Sequence, residues 1–184
     1  MQPISEAEKI QGWMNRTELL WLREKALSMP AGSVAVALGL WCGRSVVAMA
    51  VDHTYLVGID HFQGSPGDPT RELAHGRDIQ AVYEANMVRL GISHQLIVAD
   101  AIDTAALFLD GSIHFLFMDT DNADFERLFW AWYPKIAPDG VYSGHDYAPE
   151  FPNIQTTIRN SGLFHWLVGC TSIWVIYKNQ QPGG

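Results

Sequence analysis

Three carboxylates and an imidazole fall in two short segments of the chain, Met118-Asp119-Thr120-Asp121 and Gly144-His145-Asp146-Tyr147. Each segment follows an apolar run that reads as a strand, Ile113 to Met118 and Gly140 to Ser143. If those strands are neighbours, Asp119, Asp121, His145 and Asp146 converge at one end of a sheet. Like charges held together are unfavourable unless a cation is bound or a proton is shared. Oxygen donors with one histidine suit a hard or borderline divalent ion such as Mg²⁺ or Mn²⁺. Such an ion lowers the pKa of a coordinated hydroxyl, leaving a nearby carboxylate or imidazole to take its proton. The competing role for Asp119 and Asp121 is to cap a helix expected from Asn122, where the dipole favours negative charge.

The other strand ends offer groups suited to a nucleoside-like ligand. Val34 to Leu38 leads into Gly39-Leu40-Trp41-Cys42-Gly43-Arg44-Ser45. Its glycines let backbone approach a ligand, and the following helix starts with unpaired N–H groups. The spacing is Gly-x-x-x-Gly, so the dinucleotide fingerprint is absent, and the loop also reads as a plain tight turn. Trp41 either covers a ligand or packs in the core. Asp60 ends the next strand, twenty-one residues after Gly39, where a carboxylate can accept both ribose hydroxyls or cap its own loop. Asp100 ends the third strand and either receives an adenine amino group or caps the next helix.

These residues need a scaffold, and the hydrophobic periodicity supplies one. Asn15 to Met29 reads as a helix capped by Asn15 with Glu18 three residues on. A helix from Arg44 to about Ala50 and a strand Tyr55 to Ile59 follow. Next come a helix Arg77 to Leu90, a strand Leu96 to Ala99 and a short helix Thr104 to Leu109. A helix Asn122 to Tyr133 and another at Asn153 to Asn160 flank the strand at Gly140. The chain finishes with His165 to Val168 and Ser172 to Tyr177, expected as an antiparallel pair. Alternating strands and helices, with continuously apolar strands, predict an α/β fold whose mostly parallel sheet is covered on both faces. Ligands in such folds bind beyond the carboxyl ends of the strands. Phe62 to Pro69, rich in Gly and Pro, is expected to be a mobile loop near that mouth, and 179–184 a frayed tail.

Bulk properties narrow the function. With 184 residues, 48% hydrophobic and 17% charged, the chain suits one globular domain. A net charge of -8 and no basic cluster argue against nucleic acid or an anionic membrane as partner. Cys42 and Cys170 fit no metal or redox spacing, the first residues are polar and acidic, and no apolar run approaches the roughly 20 residues of a membrane span. A cytoplasmic protein acting on a small molecule is expected, with homo-oligomerisation left open. Of the seven histidines, His53, His61, His75, His94, His114 and His165 show no metal-ligand spacing.

The run Val36 to Ser45 resembles the cofactor loop of class I S-adenosylmethionine-dependent methyltransferases. Further matches are Val57-Gly58-Ile59-Asp60, Phe117 to Asp121, Trp132-Tyr133-Pro134-Lys135, Pro138-Asp139-Gly140, Gly144 to Tyr147 and Thr171-Ser172-Ile173-Trp174. In order and spacing they resemble the methyltransferase-24 family, related to macrocin-type O-methyltransferases and to cephalosporin-hydroxylase-like proteins. The resemblance implies a Rossmann-like, doubly wound sheet of seven strands with the last antiparallel. It implies S-adenosylmethionine bound by Gly39, Leu40, Trp41, Gly43, Ser45, Asp60, His61, Asp100, Ala101 and Asp119. It further implies metal ligands Asp119 and Asp146, with His145 replacing an aspartate, and catalytic roles for Asp121 as base and for His145. Two departures stand out. Ala37 occupies a position where the family usually carries an acid, and Asn122 replaces a histidine.

The activity expected is metal-assisted O-methylation of a small hydroxylated molecule, sugar- or polyol-like by analogy. A binding protein without turnover is the first rival, motivated by Ala37 and Asn122. A metal-dependent hydroxylase is the second, although a two-histidine, one-carboxylate set is lacking. A nicotinamide oxidoreductase comes last.

Overall fold

The computed structural model describes residues 1–65, 69–120 and 124–181. The candidate base Asp121, the helix start expected at Asn122, loop residues 66–68 and tail residues 182–184 lie outside the described residues.

In chain order the elements are α1 (Ile4–Glu8), α2 (Arg16–Ser28), β1 (Val34–Leu38), α3 (Arg44–Met49), β2 (Tyr55–Asp60), α4 (Pro69–Ala74), α5 (Ile79–Leu90) and β3 (Gln95–Val98). Then follow α6 (Ala101–Thr104), β4 (Ile113–Met118), α7 (Phe125–Trp132), β5 (Ile136–Gly144), α8 (Pro152–Asn160), β6 (Trp166–Leu167) and β7 (Trp174–Tyr177). One seven-stranded sheet runs in the order β3-β2-β1-β4-β5-β7-β6. The first five strands pair in parallel, and β7 runs antiparallel to both β5 and β6. This is the expected α/β, Rossmann-like, doubly wound sheet with an antiparallel last strand.

Because side chains alternate across a strand, each central strand feeds two cores. Ala35, Ala37, Phe115 and Phe117 join α1, α2, α3 and α5 on one face. Val36, Leu38, Leu116 and Met118 join α7 and α8 on the other, with Trp132 and Trp174 fully buried there. Strands apolar on both faces need helices on both faces, as this sequence provides.

Some boundaries differ from expectation, each for a local reason. The α5 helix starts at Ile79 because the Asp78 side chain accepts from the Ala81 N–H at 2.9 Å. The short helix starts three residues early, at Ala101, because Asp100 caps it, and continues as a 3₁₀ turn over Ala105–Leu107. Strand β5 extends back to Ile136, with a register shift against β4 between Ile113 and Phe115 and with exposed Pro138 and Asp139 breaking the apolar pattern. Helix α1 falls in an N-terminal segment, about 1–30, expected to be helical, whereas α4, little more than one turn, was not expected. Within the Gly- and Pro-rich loop, Phe62 is buried and packs on Tyr83 at 5.3 Å between ring centroids. Of the tail expected to fray, residues 179–181 are described and tied down, the Gln181 side chain bonding Phe164 twice and the Tyr177 carbonyl once. No helix among the described residues is long and apolar enough to cross a membrane.

Candidate active site

A cavity of about 470 Å³ opens beyond the carboxyl ends of β1, β2, β3, β4 and β5. It brings together Gly39, Leu40, Trp41, Ser45, Asp60, His61, Asp100, Ala101, Asp119, His145 and Asp146 from the sequence expectation. Gly43 is not in its wall. That glycine sits at φ +98°, a left-handed backbone that favours glycine, and a Cβ there would also press on the Tyr83 ring at 3.2 Å.

The loop after β1 is held by a carboxylate. Asp60 Oδ2 accepts from the backbone N–H groups of Leu40 (2.6 Å) and Trp41 (2.9 Å), and Oδ1 from that of Phe62 (2.7 Å). Asp60 therefore shapes the glycine loop as well as facing the cavity. Trp41 sits at φ +48°, a costly conformation for a bulky residue that the loop geometry enforces. Asp100 spends Oδ1 on the Ile102 N–H at 2.9 Å, so it caps α6 while lining the cavity. His61 Nδ1 accepts from the Gln63 N–H at 3.0 Å.

A further wall comes from the segment Gln11 to Met14, which sequence reasoning missed. Arg44 donates to the carbonyls of Glu8, Ile10, Gly12 and Met14 at 2.6–2.9 Å, fixing Gln11 to Met14 over the cavity. Trp13 rests on Trp41 with ring centroids 5.7 Å apart. Trp41 Nε1 and Thr120 Oγ1 are buried without a hydrogen-bond partner among the described residues, and both residues line the cavity. Buried polar atoms of that kind fit a polar ligand.

At the ends of β4 and β5 the expected charge cluster forms. Asp119, His145 and Asp146 bring one ligand atom each to within 4.8 Å of one another. His145 Nδ1 lies 2.8 Å from Asp146 Oδ1 and 3.9 Å from Asp119 Oδ1. On the other edge of the ring, Nε2 lies 3.1 Å from Glu18 Oε1 and 3.1 Å from Ser172 Oγ. Asp146 is held at φ +63°. Burial alone would lower the His145 pKa, but hydrogen bonds to Asp146 and Glu18 and the field of Asp119 overcome it and raise the value to about 11. Burial raises Asp119 to about 6 against the pull of His145, with Asp146 and Glu18 adding to the rise; 32% of its side-chain surface still opens to the cavity. Glu18 is lowered despite burial by its bonds to His145 and Asn15. Its capping-box spacing marked it as a helix-start residue; nothing local signalled the histidine 127 residues away.

A glycine loop after β1, an acid after β2 and a sheet whose seventh strand is antiparallel define the class I S-adenosylmethionine-dependent methyltransferases. The family model described as a methyltransferase domain, methyltransferase-24, matches residues 36–147. The chain belongs to this family of methyltransferases. Among solved structures it is similar to a protein from Corynebacterium glutamicum at 13% identity, with a TM-score of 0.74 over 98% of this chain and 91% of that one. It is also similar to cofactor-bound Rv0187 from MTB at 13% identity, TM-score 0.70, over 95% of this chain and 86% of that one. The O-methyltransferase from Bacillus cereus in complex with SAH shares 14% identity and a TM-score of 0.65 over 95% and 87% of the two chains. No curated protein matches the chain in sequence.

Proposed function

We propose that this cytoplasmic, single-domain enzyme transfers a methyl group from S-adenosylmethionine to a hydroxyl of a small sugar- or polyol-like acceptor, assisted by Mg²⁺ or Mn²⁺. The observation that carries the reading is the meeting of Asp119, His145 and Asp146 with the glycine loop in one cavity. The loop residues Gly39 to Trp41, with Ser45, lie where they would meet the methionine end. Asp60 retains a lone pair on Oδ1 for a ribose hydroxyl, since its other oxygen already takes two amides. Asp100 and Ala101 border the adenine side, with His61 and Asp119 completing the cradle.

Two carboxylate oxygens and an imidazole nitrogen form a donor set suited to a hard or borderline divalent ion, so the residues fit a metal. Asp119, His145 and Asp146 would hold it. When bound, it supplies Lewis acidity to a coordinated hydroxyl. The sulfonium supplies the methyl group; the acceptor oxygen takes it, the carbon–sulfur bond breaks and S-adenosylhomocysteine departs. The chain's own work is to position the oxygen and take its proton. Asp121 is proposed as base on the family resemblance. Without a bound ion, burial and the neighbouring Asp146 and Glu18 carboxylates hold Asp119 up at about 6; a coordinated cation would keep it ionised as a ligand.

A second, metal-free reading is favoured by one observation: both nitrogens of His145 face carboxylates, so an imidazolium can balance the cluster by itself. Assays with labelled S-adenosylmethionine, a panel of polyols and either Mg²⁺ or EDTA separate the two. Loss of transfer in EDTA supports the metal; undiminished transfer supports the imidazolium; no transfer to any polyol overturns the acceptor class.

A further inference from the structure

Glu18 lies on α2, outside the residues that match the family, and is only 4% exposed. Its two oxygens do separate work. Oε2 accepts from the Asn15 backbone N–H at 2.8 Å, closing the capping box, while Oε1 meets His145 Nε2 at 3.1 Å. Ser172 Oγ shares that nitrogen at 3.1 Å, and the Ser172 backbone N–H also steadies the Glu18 carboxylate. A helix cap needs one oxygen; the second is spent on the ring.

We propose that Glu18 is a positioning residue of the active site, holding the His145 ring so that Nδ1 is presented to Asp119 and Asp146. The proposal rests on reading that cluster as the reaction centre. The physical reason is geometric. An imidazole tethered at Nε2 by a buried carboxylate cannot turn without leaving that carboxylate without its ring partner, and such tethers fix the face a ring offers to a ligand. Helix α2 thus contributes directly to a site otherwise built at the ends of β4 and β5.

Glu18→Gln is the informative variant, because a carboxamide has one acceptor and one donor. It cannot accept from both the Asn15 N–H and His145 Nε2–H. Asn15→Ala is its control: it removes the side-chain bonds to the Thr17 and Glu18 amides and leaves Glu18 itself intact. Both variants are expected to lower Tm. Only Glu18→Gln is expected to weaken Mn²⁺ binding by calorimetry, by roughly 10–100-fold, with S-adenosylhomocysteine affinity held within about twofold. Unchanged Mn²⁺ affinity in Glu18→Gln overturns the proposal. If the wild type binds no Mn²⁺, the metal reading fails separately, and imidazole NMR of the metal-free protein decides. A hydrogen-bonded Nε2 proton, assigned by its loss in His145→Gln and shifted or lost in Glu18→Gln, supports the tether. Its absence from the wild type overturns it.

Discussion

A Cβ on Gly39 would lie 1.8 Å from the carbonyl oxygen of Asp119. The two loops that meet there leave neighbouring strands, and their backbones remain tied, with the Asp119 N–H donating to the Leu38 carbonyl at 2.8 Å. The glycine loop and the Asp119 end of the charge cluster are therefore packed backbone against backbone.

Gly39→Ala is expected to do more than strain a backbone at φ +77°. The penalty for the φ alone exceeds about 1 kcal/mol, and the clash with immobile backbone adds to it. Thermal unfolding should show a large fall in Tm, with S-adenosylhomocysteine binding abolished.

Asp60→Asn leaves three amides facing one acceptor oxygen. Each unsatisfied donor costs about 1–3 kcal/mol where it is shielded from water. Denaturant unfolding should report that loss, and calorimetry a fall in S-adenosylhomocysteine affinity of at least about tenfold, or ~1.4 kcal/mol.

Arg44→Lys cannot reproduce a planar fork that reaches four carbonyls. Hydrogen exchange should accelerate at the amides of residues 8–14, while β1 and β4 stay protected. The expected loss of stability is about 1.5–3 kcal/mol.

The pH dependence of the metal-free protein has a defined sign. The folded His145 value, about 11, lies above its ordinary 6.5, so its contribution is complete below pH 6.5 and is lost as pH rises through the folded value. Asp119, raised from 3.8 to about 6, acts in the same direction between those values: its ionisation disfavours the fold. Urea unfolding of wild type and His145→Gln in EDTA should give a stability gap that narrows between pH 6.5 and pH 9.5. A gap that widens would reverse the assignment of His145 as imidazolium.

The strands were legible because they are buried on both faces and so read as unbroken apolar runs, such as Val34 to Leu38. Their carboxyl ends then located Asp60, Asp100, Asp119 and His145. The insertion of β7 between β5 and β6 was not legible, since strand order depends on pairings that no local pattern encodes. Asp60 was found by position, but its grip on Leu40 and Trp41 depends on side-chain direction. Glu18 was seen as a capping residue because that partner is three residues away; its second partner exists only once α2 is docked. The Arg44 clamp was hidden for the same reason, its acceptors being backbone carbonyls with no sequence signature.

The most direct test of the central claim is calorimetric titration of the purified protein with S-adenosylhomocysteine, with Asp60→Ala as comparison. The account predicts binding at micromolar concentration or tighter in the wild type, and its loss in the variant. No binding to the wild type, with or without Mg²⁺, would contradict the assignment of this cavity to S-adenosylmethionine.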